Sequence, residues 1–386
     1  MSHHKHSRLH NSKEDSGGRE FVALALLLIL GLATWVWWKN RTAPERPETS
    51  KPEAVVARTN QAAIKTIAAP ASTNIIRSQT KPTTSPPAPS PIIPALIPDR
   101  FPRPPSDVFE AQVALARNAF SSGSLDGLMG SQTRAALRAF QRRAALSETG
   151  ELDGGTKSRL SLASPPTMTY TVTTNDVARL QPLSKTWLGK SQQTALDYET
   201  ILELVAEKGR ASPNLIRRLN PTMDWTNVLA ETAVRIPDVQ YPPPEAKAGF
   251  AVIGLSEKTL DVFDAETNLL AHFPCSIAAR VEKRPVGELH VSAIAPNPDY
   301  TFNPEGFPES PEAQQLKTKL ILPPGPNNPV GTAWISLDKP GYGMHGTPSP
   351  EQVGRTESHG CFRLANWNAE YLLKLVWIGM PVRVEP

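Results

Sequence analysis

The spacing of apolar and polar positions divides the chain into segments of different kinds. Residues 21–38 are 18 consecutive positions without a charge. As a helix they would extend about 27 Å, close to the hydrocarbon thickness of a bilayer. We therefore predict a transmembrane anchor over 21–38, preceded by a polar leader over 1–20. A cleaved signal peptide is the alternative, because residues 31–33 read Gly-Leu-Ala, a small-x-small pattern.

Residues 39–106 show no apolar periodicity and are rich in proline. Such a segment buries too little apolar surface to offset the entropy cost of ordering, so we predict a disordered linker. The excess of Lys and Arg in the chain lies in this segment, whereas residues 245–386 contain more acidic than basic residues. A nucleic-acid-binding protein concentrates basic charge on a folded face, so we expect no nucleic-acid partner.

Residues 107–164 have the periodicity of three helices. Val108, Ala111 and Leu115 recur at helical spacing, and Ser131 precedes a second apolar stripe in the position of an N-cap. Glycines then separate a third short helix that ends near Leu160. The pattern predicts a small three-helix domain.

Residues 168–240 begin and end with strand patterns, at 169–172 and 234–237. Two helical stretches lie between them, at 198–208 and 212–219. We predict a βααβ unit, in which residues 179–197 are an apparent insertion.

Residues 246–386 change to short strands broken by Gly, Pro and Asn, for example 251–255 and 259–264. Helical periodicity returns only at 367–375. This region is predicted to be a β-rich domain, so the whole chain is expected to be a multidomain α+β protein.

The candidate chemistry lies near the C-terminus, where Cys361 follows His345 and His359. A free thiol is only slightly ionised at neutral pH, and an imidazole that accepts its proton makes it a nucleophile. Gly360 permits a tight turn whose amides could form an oxyanion hole. Cys361 could instead be a buried structural cysteine, a ligand of a zinc site for which no fourth ligand is apparent, or half of a disulfide with Cys275. We predict that Cys275 is a buried, reduced thiol.

Four segments of the C-terminal region form a recognisable pattern. Residues 345–347 read His-Gly-Thr and residues 358–364 read Ser-His-Gly-Cys-Phe-Arg-Leu. Together with residues 284–289 and 322–331, they resemble the L,D-transpeptidase family (YkuD-type catalytic domain). The order in the chain differs from papain-like wall endopeptidases, whose nucleophile precedes the histidine.

The resemblance implies specific roles. Cys361 would be the nucleophile and His345 the general base. His359 would orient the site, and its backbone would form the oxyanion hole together with that of Gly360. Three further positions match the motif and are expected to contact substrate: Ser358, Arg363 and Gly346. No metal and no cofactor are implied.

The two preceding units also resemble known modules. Residues 126–141, with Gly150 and Thr156 downstream, are similar to the three-helix peptidoglycan-binding domain. The βααβ unit resembles a degenerate LysM glycan-binding module, in which Glu231 stands where glycine is usual. Both resemblances imply that peptidoglycan stem peptides and glycan are the partners.

The implied reaction forms a cysteinyl thioester with a tetrapeptide stem, releases D-Ala and transfers the acyl group to an amine. The acceptor would be a second stem, giving a 3-3 cross-link, or a lysine of an envelope lipoprotein. With water as acceptor the enzyme would be an L,D-carboxypeptidase, and a non-catalytic wall-tethering protein is the remaining alternative. We expect a single-pass protein of the inner membrane, with residues 1–20 in the cytoplasm and the catalytic domain in the periplasm.

Overall fold

A computed structural model of the protein describes residues 100–358 and 360–386. The predicted leader, transmembrane anchor and nearly all of the predicted linker lie outside the described residues, and so does His359. Among the helices of the described ranges, none is both long enough and apolar enough to cross a membrane.

The helical unit, residues 107–164, contains three helices as predicted. They are α1 (Val108–Arg117), α2 (Ser131–Arg143) and α3 (Gly154–Arg159). Asp107 caps α1 by accepting a hydrogen bond from the Glu110 amide. The predicted N-cap of α2 was wrong by one residue: Gly130 has the extended backbone of a cap position, and Ser131 is already the first helical residue.

The middle unit, residues 168–240, is built on two antiparallel strands that pair Thr169 with Arg235. Its elements in order are β1 (Thr167–Thr171), α4 (Thr174–Arg179), α5 (Trp187–Ser191), α6 (Ile201–Lys208), α7 (Pro213–Leu219) and β2 (Ala233–Pro237). The predicted strand-helix-helix-strand order is therefore present, with α4 and α5 as additional short helices. Helix α5 lies in the predicted insertion. Assignment of this unit to the LysM family stays a prediction.

The C-terminal domain, residues 246–386, is organised around an eight-stranded mixed sheet of order β11-β10-β9-β6-β12-β3-β4-β5. Its strands are β3 (Phe250–Gly254), β4 (Thr259–Phe263), β5 (Leu269–Pro274), β6 (Gly287–Pro296), β9 (Ala333–Leu337), β10 (Gly343–His345), β11 (Phe362–Arg363) and β12 (Pro381–Glu385). A separate hairpin pairs β7 (Tyr300–Phe302) with β8 (Leu320–Leu322). The β-rich character predicted for this region is confirmed.

Two α-helices complete the C-terminal domain, α8 (Pro311–Gln315) and α9 (Asn366–Leu375), together with three short 3-10 helices at Val281–Lys283, Pro304–Gly306 and Pro350–Gln352. Helix α9 buries Ala369, Leu372 and Leu375 in the same core as the sheet residues Ile253 and Ile335. Helix α9 begins three residues after β11, so its packing in the core holds the C-terminal end of this edge strand in place.

The helical unit covers the opposite edge of the sheet. Strand β5 exchanges hydrogen bonds with it, from the Ser121 amide to the His272 carbonyl at 2.8 Å and from the His272 amide to the Ala119 carbonyl at 3.0 Å. An uncovered edge strand would offer unpaired backbone groups to other chains. The helical unit therefore protects this edge as well as preceding it in the chain.

Buried polar contacts join all three units. The Asn368 amide donates to the Ser121 hydroxyl at 3.1 Å and accepts from the Tyr241 hydroxyl at 2.5 Å. Arg117 of the helical unit bonds the Asp238 carbonyl at 3.0 Å. The helical and middle units also share one hydrophobic core, which includes Leu137 and Leu204.

Candidate active site

The pairing of β10 with β11 brings the histidine and the cysteine to one place. The two strands run parallel, with His345 opposite Arg363, and Cys361 directly precedes β11. His345 and Cys361 line the same cavity, which has a volume of about 380 Å³. Two segments that are separated by the 346–357 loop in the sequence are thus joined at one edge of the sheet.

The turn that carries Cys361 is held by Ser358. The Ser358 hydroxyl donates to the Cys361 carbonyl at 2.5 Å and accepts from the Gly360 amide at 3.2 Å. The Ser358 amide in turn donates to the Ile277 carbonyl at 2.8 Å. Ser358 lies at the cavity wall with its hydroxyl occupied by the backbone of its own turn, and its contact with substrate stays a prediction.

The oxyanion hole stays a prediction. Gly360 lines the cavity, and its amide is engaged with Ser358 in this structure. His359, whose backbone was expected to contribute, lies outside the described residues. Its predicted orienting role is likewise untested.

His345 is only 5% exposed, and its hydrogen bond defines its tautomer. Nδ1 lies 2.6 Å from the Gly346 carbonyl oxygen, which can only accept a hydrogen bond. Nδ1 therefore carries the proton and Nε2 carries the free lone pair. This tautomer is the one required of a base that takes a proton through Nε2.

The contact of Gly346 with substrate stays a prediction, and the structure shows how this residue packs. It is buried next to His345, and a Cβ atom at this position would lie 2.2 Å from Oδ1 of Asn366. The same Oδ1 accepts from the Thr347 amide at 2.9 Å. Only a residue without a side chain at position 346 allows Asn366 to approach the backbone that follows His345.

The pKa shifts favour a neutral cysteine-histidine pair. Burial lowers the pKa of His345 from its ordinary 6.5 to about 4, so the imidazole is uncharged at neutral pH. Burial also raises the pKa of the Cys361 thiol, against smaller lowering effects of a Gly343 backbone hydrogen bond and of the Arg363 charge. The thiol lies 3.4 Å from the Gly341 carbonyl oxygen. The resting site thus holds a thiol and a neutral base.

Arg363 lies on β11 and lines the cavity beside Cys361. Its backbone amide donates to Ser276 at 3.0 Å, and its guanidinium donates to the Glu357 carbonyl. Burial lowers the pKa of Arg363. The Nε atom is buried and has no hydrogen-bond partner among the residues that the structure describes. The contact of Arg363 with a substrate carboxylate stays a prediction.

Sequence reasoning missed the aromatic residues of the cavity. Trp334, Tyr300, Phe307 and Trp187 all line it. Trp334 had a usable signal, because it alternates with buried residues of β9 and so faces away from the core. Trp187 had none, because it comes from another unit of the chain.

The second cysteine behaves as predicted. Cys275 is fully buried and, like Cys361, is a free thiol. Burial raises the pKa of Cys275 to about 12, so this thiol is not ionised at neutral pH. Cys361 is therefore the cysteine available for chemistry.

Comparison with known proteins agrees with this geometry. Residues 248–384 match the L,D-transpeptidase catalytic domain. The C-terminal domain belongs to the L,D-transpeptidase family. Residues 104–160 of the same chain match a peptidoglycan-binding domain. Both of these resemblances are confirmed: the chain contains an L,D-transpeptidase catalytic domain, of a cysteine-dependent family, and a peptidoglycan-binding domain.

Similar proteins and structures are found at low sequence identity. The putative L,D-transpeptidase YkuD of Bacillus licheniformis is 24% identical over 185 residues, which cover 48% of this chain and 93% of that protein. The putative L,D-transpeptidase YkuD of Bacillus subtilis is 23% identical over 47% of this chain and 92% of its own length. The crystal structure of L,D-transpeptidase 3 from Mycobacterium tuberculosis covers 42% of this chain and 77% of its own, with 20% identity and a TM-score of 0.29.

Proposed function

We propose that this transpeptidase forms a thioester between Cys361 and a peptidoglycan tetrapeptide stem and transfers the acyl group to an amine. The observation that carries the proposal is that His345, protonated at Nδ1 and uncharged, lines the same cavity as Cys361. A peptidoglycan-binding domain in the same chain supports the choice of substrate.

In the first step the Cys361 thiol gives its proton to Nε2 of His345 as the sulfur attacks the carbonyl that precedes the terminal D-Ala. The carbonyl carbon becomes tetrahedral and its oxygen takes the negative charge. The charge returns to form the thioester carbonyl while the carbon-nitrogen bond breaks. The imidazolium of His345 then protonates the departing D-Ala nitrogen, which restores the neutral base.

In the second step an amine attacks the thioester. His345 accepts the proton of the attacking nitrogen, and the Cys361 sulfur leaves and regains a proton from the imidazolium. We propose the side-chain amine of a second stem as acceptor, which gives a 3-3 cross-link. A lipoprotein lysine as acceptor would make the enzyme a protein-anchoring one, and water would make it a carboxypeptidase.

We further propose that the chain is held at the inner membrane by residues 21–38, with its catalytic domain in the periplasm. The support is the uncharged 18-residue stretch in the sequence and a substrate found outside the cytoplasmic membrane. Fractionation of cells that express the whole chain, with and without residues 21–38, tests this placement.

The covalent step is tested by intact mass. Incubation of the whole chain with a carbapenem should add one inhibitor mass, which Cys361→Ala should abolish and Cys275→Ala should preserve. Because a positioned base typically contributes about 10²- to 10⁴-fold, His345→Gln should slow the adduct's formation by a comparable factor. The wild-type chain remaining unmodified would favour the wall-tethering alternative.

The acceptor is tested by analysing muropeptides after incubation with isolated sacculi. An increase in 3-3 dimers supports cross-linking. Loss of tetrapeptides without any dimer would instead identify a carboxypeptidase.

A further inference from the structure

One segment of the middle unit leaves its own fold and packs on the transpeptidase domain. Residues 183–196 contain α5, and Leu196 at their end is fully buried with Phe302 and Leu322 of the β7-β8 hairpin. Trp187 stacks on Phe302, with ring centroids 4.2 Å apart and an interplanar angle of 14°. The segment thus belongs to the middle unit in sequence and to the transpeptidase domain in packing.

Hydrogen bonds fix this contact at both ends. At the α5 end, the Glu312 carboxylate accepts from the Trp187 amide at 2.9 Å and from the Leu188 amide at 3.0 Å. At the other end, the Leu196 amide donates to the Pro324 carbonyl and its carbonyl accepts from the Asn327 amide, each at 2.9 Å.

The approach at Leu196 is close enough to require glycine on the other side. Gly325 has a φ of +143°, and a Cβ atom there would lie 2.2 Å from the Leu196 carbonyl oxygen. No other residue tolerates both the backbone conformation and the contact. The sequence of the transpeptidase domain is therefore matched to this segment of the middle unit.

Trp187 reaches the cavity of the catalytic pair. It lines the cavity with Cys361, next to Tyr300 and Phe307. Phe302 covers one face of the indole and the Lys190 ammonium lies 5.6 Å from the ring centroid, while another part of the indole lines the cavity. Trp187 lies outside residues 248–384, which match the family's catalytic domain, so this wall comes from elsewhere in the chain.

We propose that the middle unit completes the active site and that Trp187 is a specificity-determining residue that contacts the bound stem peptide. This inference rests on the proposed function. An apolar wall favours the aliphatic portion of an extended stem by removing its surface from water, and gives no advantage to a compact substrate that reaches only the thiol. Trp187 thus selects stem peptides over small acylating compounds.

The test compares Trp187→Ala with Leu188→Ala in the whole chain. Leu188 is the next residue of α5, its side chain is 45% exposed, and it makes a matched control. The two probes are a purified disaccharide-tetrapeptide, followed by D-Ala release, and a carbapenem, followed by mass. Trp187→Phe, which keeps an aromatic wall, is the conservative variant.

We expect Trp187→Ala to lower kcat/KM for the disaccharide-tetrapeptide by about 10-fold or more, chiefly through KM, as removal of an apolar pocket contact typically does. Carbapenem acylation should be unchanged, Leu188→Ala should behave as wild type on both probes, and Trp187→Phe should recover most of the loss. Equal kinetics of Trp187→Ala and Leu188→Ala would overturn the inference. An equal loss of rate by Trp187→Ala on both probes would also overturn it, because it would mean damage to the catalytic pair. Absence of D-Ala release by the wild-type chain would instead refute the proposed function itself.

Discussion

The imidazole of His345 stacks on the indole of Trp334, with ring centroids 5.3 Å apart and an interplanar angle of 24°. The two residues are direct partners in the β9-β10 pairing. The Trp334 indole is itself held by a 2.7 Å hydrogen bond from Nε1 to the Ser336 hydroxyl. Trp334 therefore shields one face of the base from water and contributes to the burial that lowers the pKa of His345.

Trp334→Ala should move the acid limb of the reaction to higher pH. Exposure of the imidazole returns the pKa of His345 from about 4 toward its ordinary 6.5. A larger fraction of the base is then protonated and inactive between these values. The pH dependence of carbapenem acylation measures the shift, with Trp377→Ala as a tryptophan control that does not line the cavity. An acid limb that stays in place would show that Trp334 does not contribute to this burial.

His345 should also make the protein less stable in acid. Its pKa is about 4 when folded and 6.5 in its ordinary state, so the unfolded chain binds the proton more tightly. The contribution of the neutral His345 to the free energy of unfolding is therefore fully present above pH 6.5 and is lost as the pH falls through the folded pKa. The loss approaches about 3 kcal/mol below pH 4. Urea unfolding of wild type and His345→Gln at several pH values isolates this contribution. The same dependence of the free energy of unfolding on pH in both proteins would contradict it.

Ser358→Ala should impair the reaction and leave the fold intact. The substitution removes the hydrogen bonds to the Cys361 carbonyl and from the Gly360 amide that hold the nucleophile's turn. Such bonds contribute about 0.5 to 1.5 kcal/mol each, and 1.4 kcal/mol is a factor of ten, so we expect acylation to slow by roughly tenfold. Ser349→Ala, at an exposed serine, is the control. A rate equal to wild type would show that the turn holds without Ser358.

Cys275→Ala should retain full activity. The Cys275 thiol is buried, and its pKa of about 12 keeps it protonated, so an alkylating reagent should modify Cys361 alone in the folded protein. The small void left by the lost sulfur should lower the free energy of unfolding by about 1 kcal/mol. Peptide mapping after brief iodoacetamide treatment and a urea titration provide the measurements. Modification of Cys275 in the native state would refute the assignment.

The sequence predicted the parts of this protein that depend on local patterns. Helical spacing located α1, glycines separated the third short helix, and short runs broken by Gly, Pro and Asn located β3 and β4 within one residue. The motif segments around His345 and Cys361 indicated the family, because the reaction requires these residue types and they can be read directly from the sequence. Boundaries that depend on backbone conformation were less certain, as the cap at Gly130 shows.

Only the tertiary structure determined what each motif residue contacts. Ser358 and Gly346 match the motif, and only the structure shows that Ser358 bonds the turn of Cys361 and that Gly346 leaves room for Asn366. Asn368 bonds Ser121 of the helical unit and Tyr241, both of which lie far away from it in the sequence.

Trp187 is the clearest case of a residue that local pattern does not reveal. Its place at the cavity depends on stacking with Phe302 and on the carboxylate of Glu312, both more than a hundred positions away. Periodicity and motif spacing report what a segment can form by itself. The position of a side chain from one unit in the active site of another is set by packing between distant segments, which exists only in the folded chain.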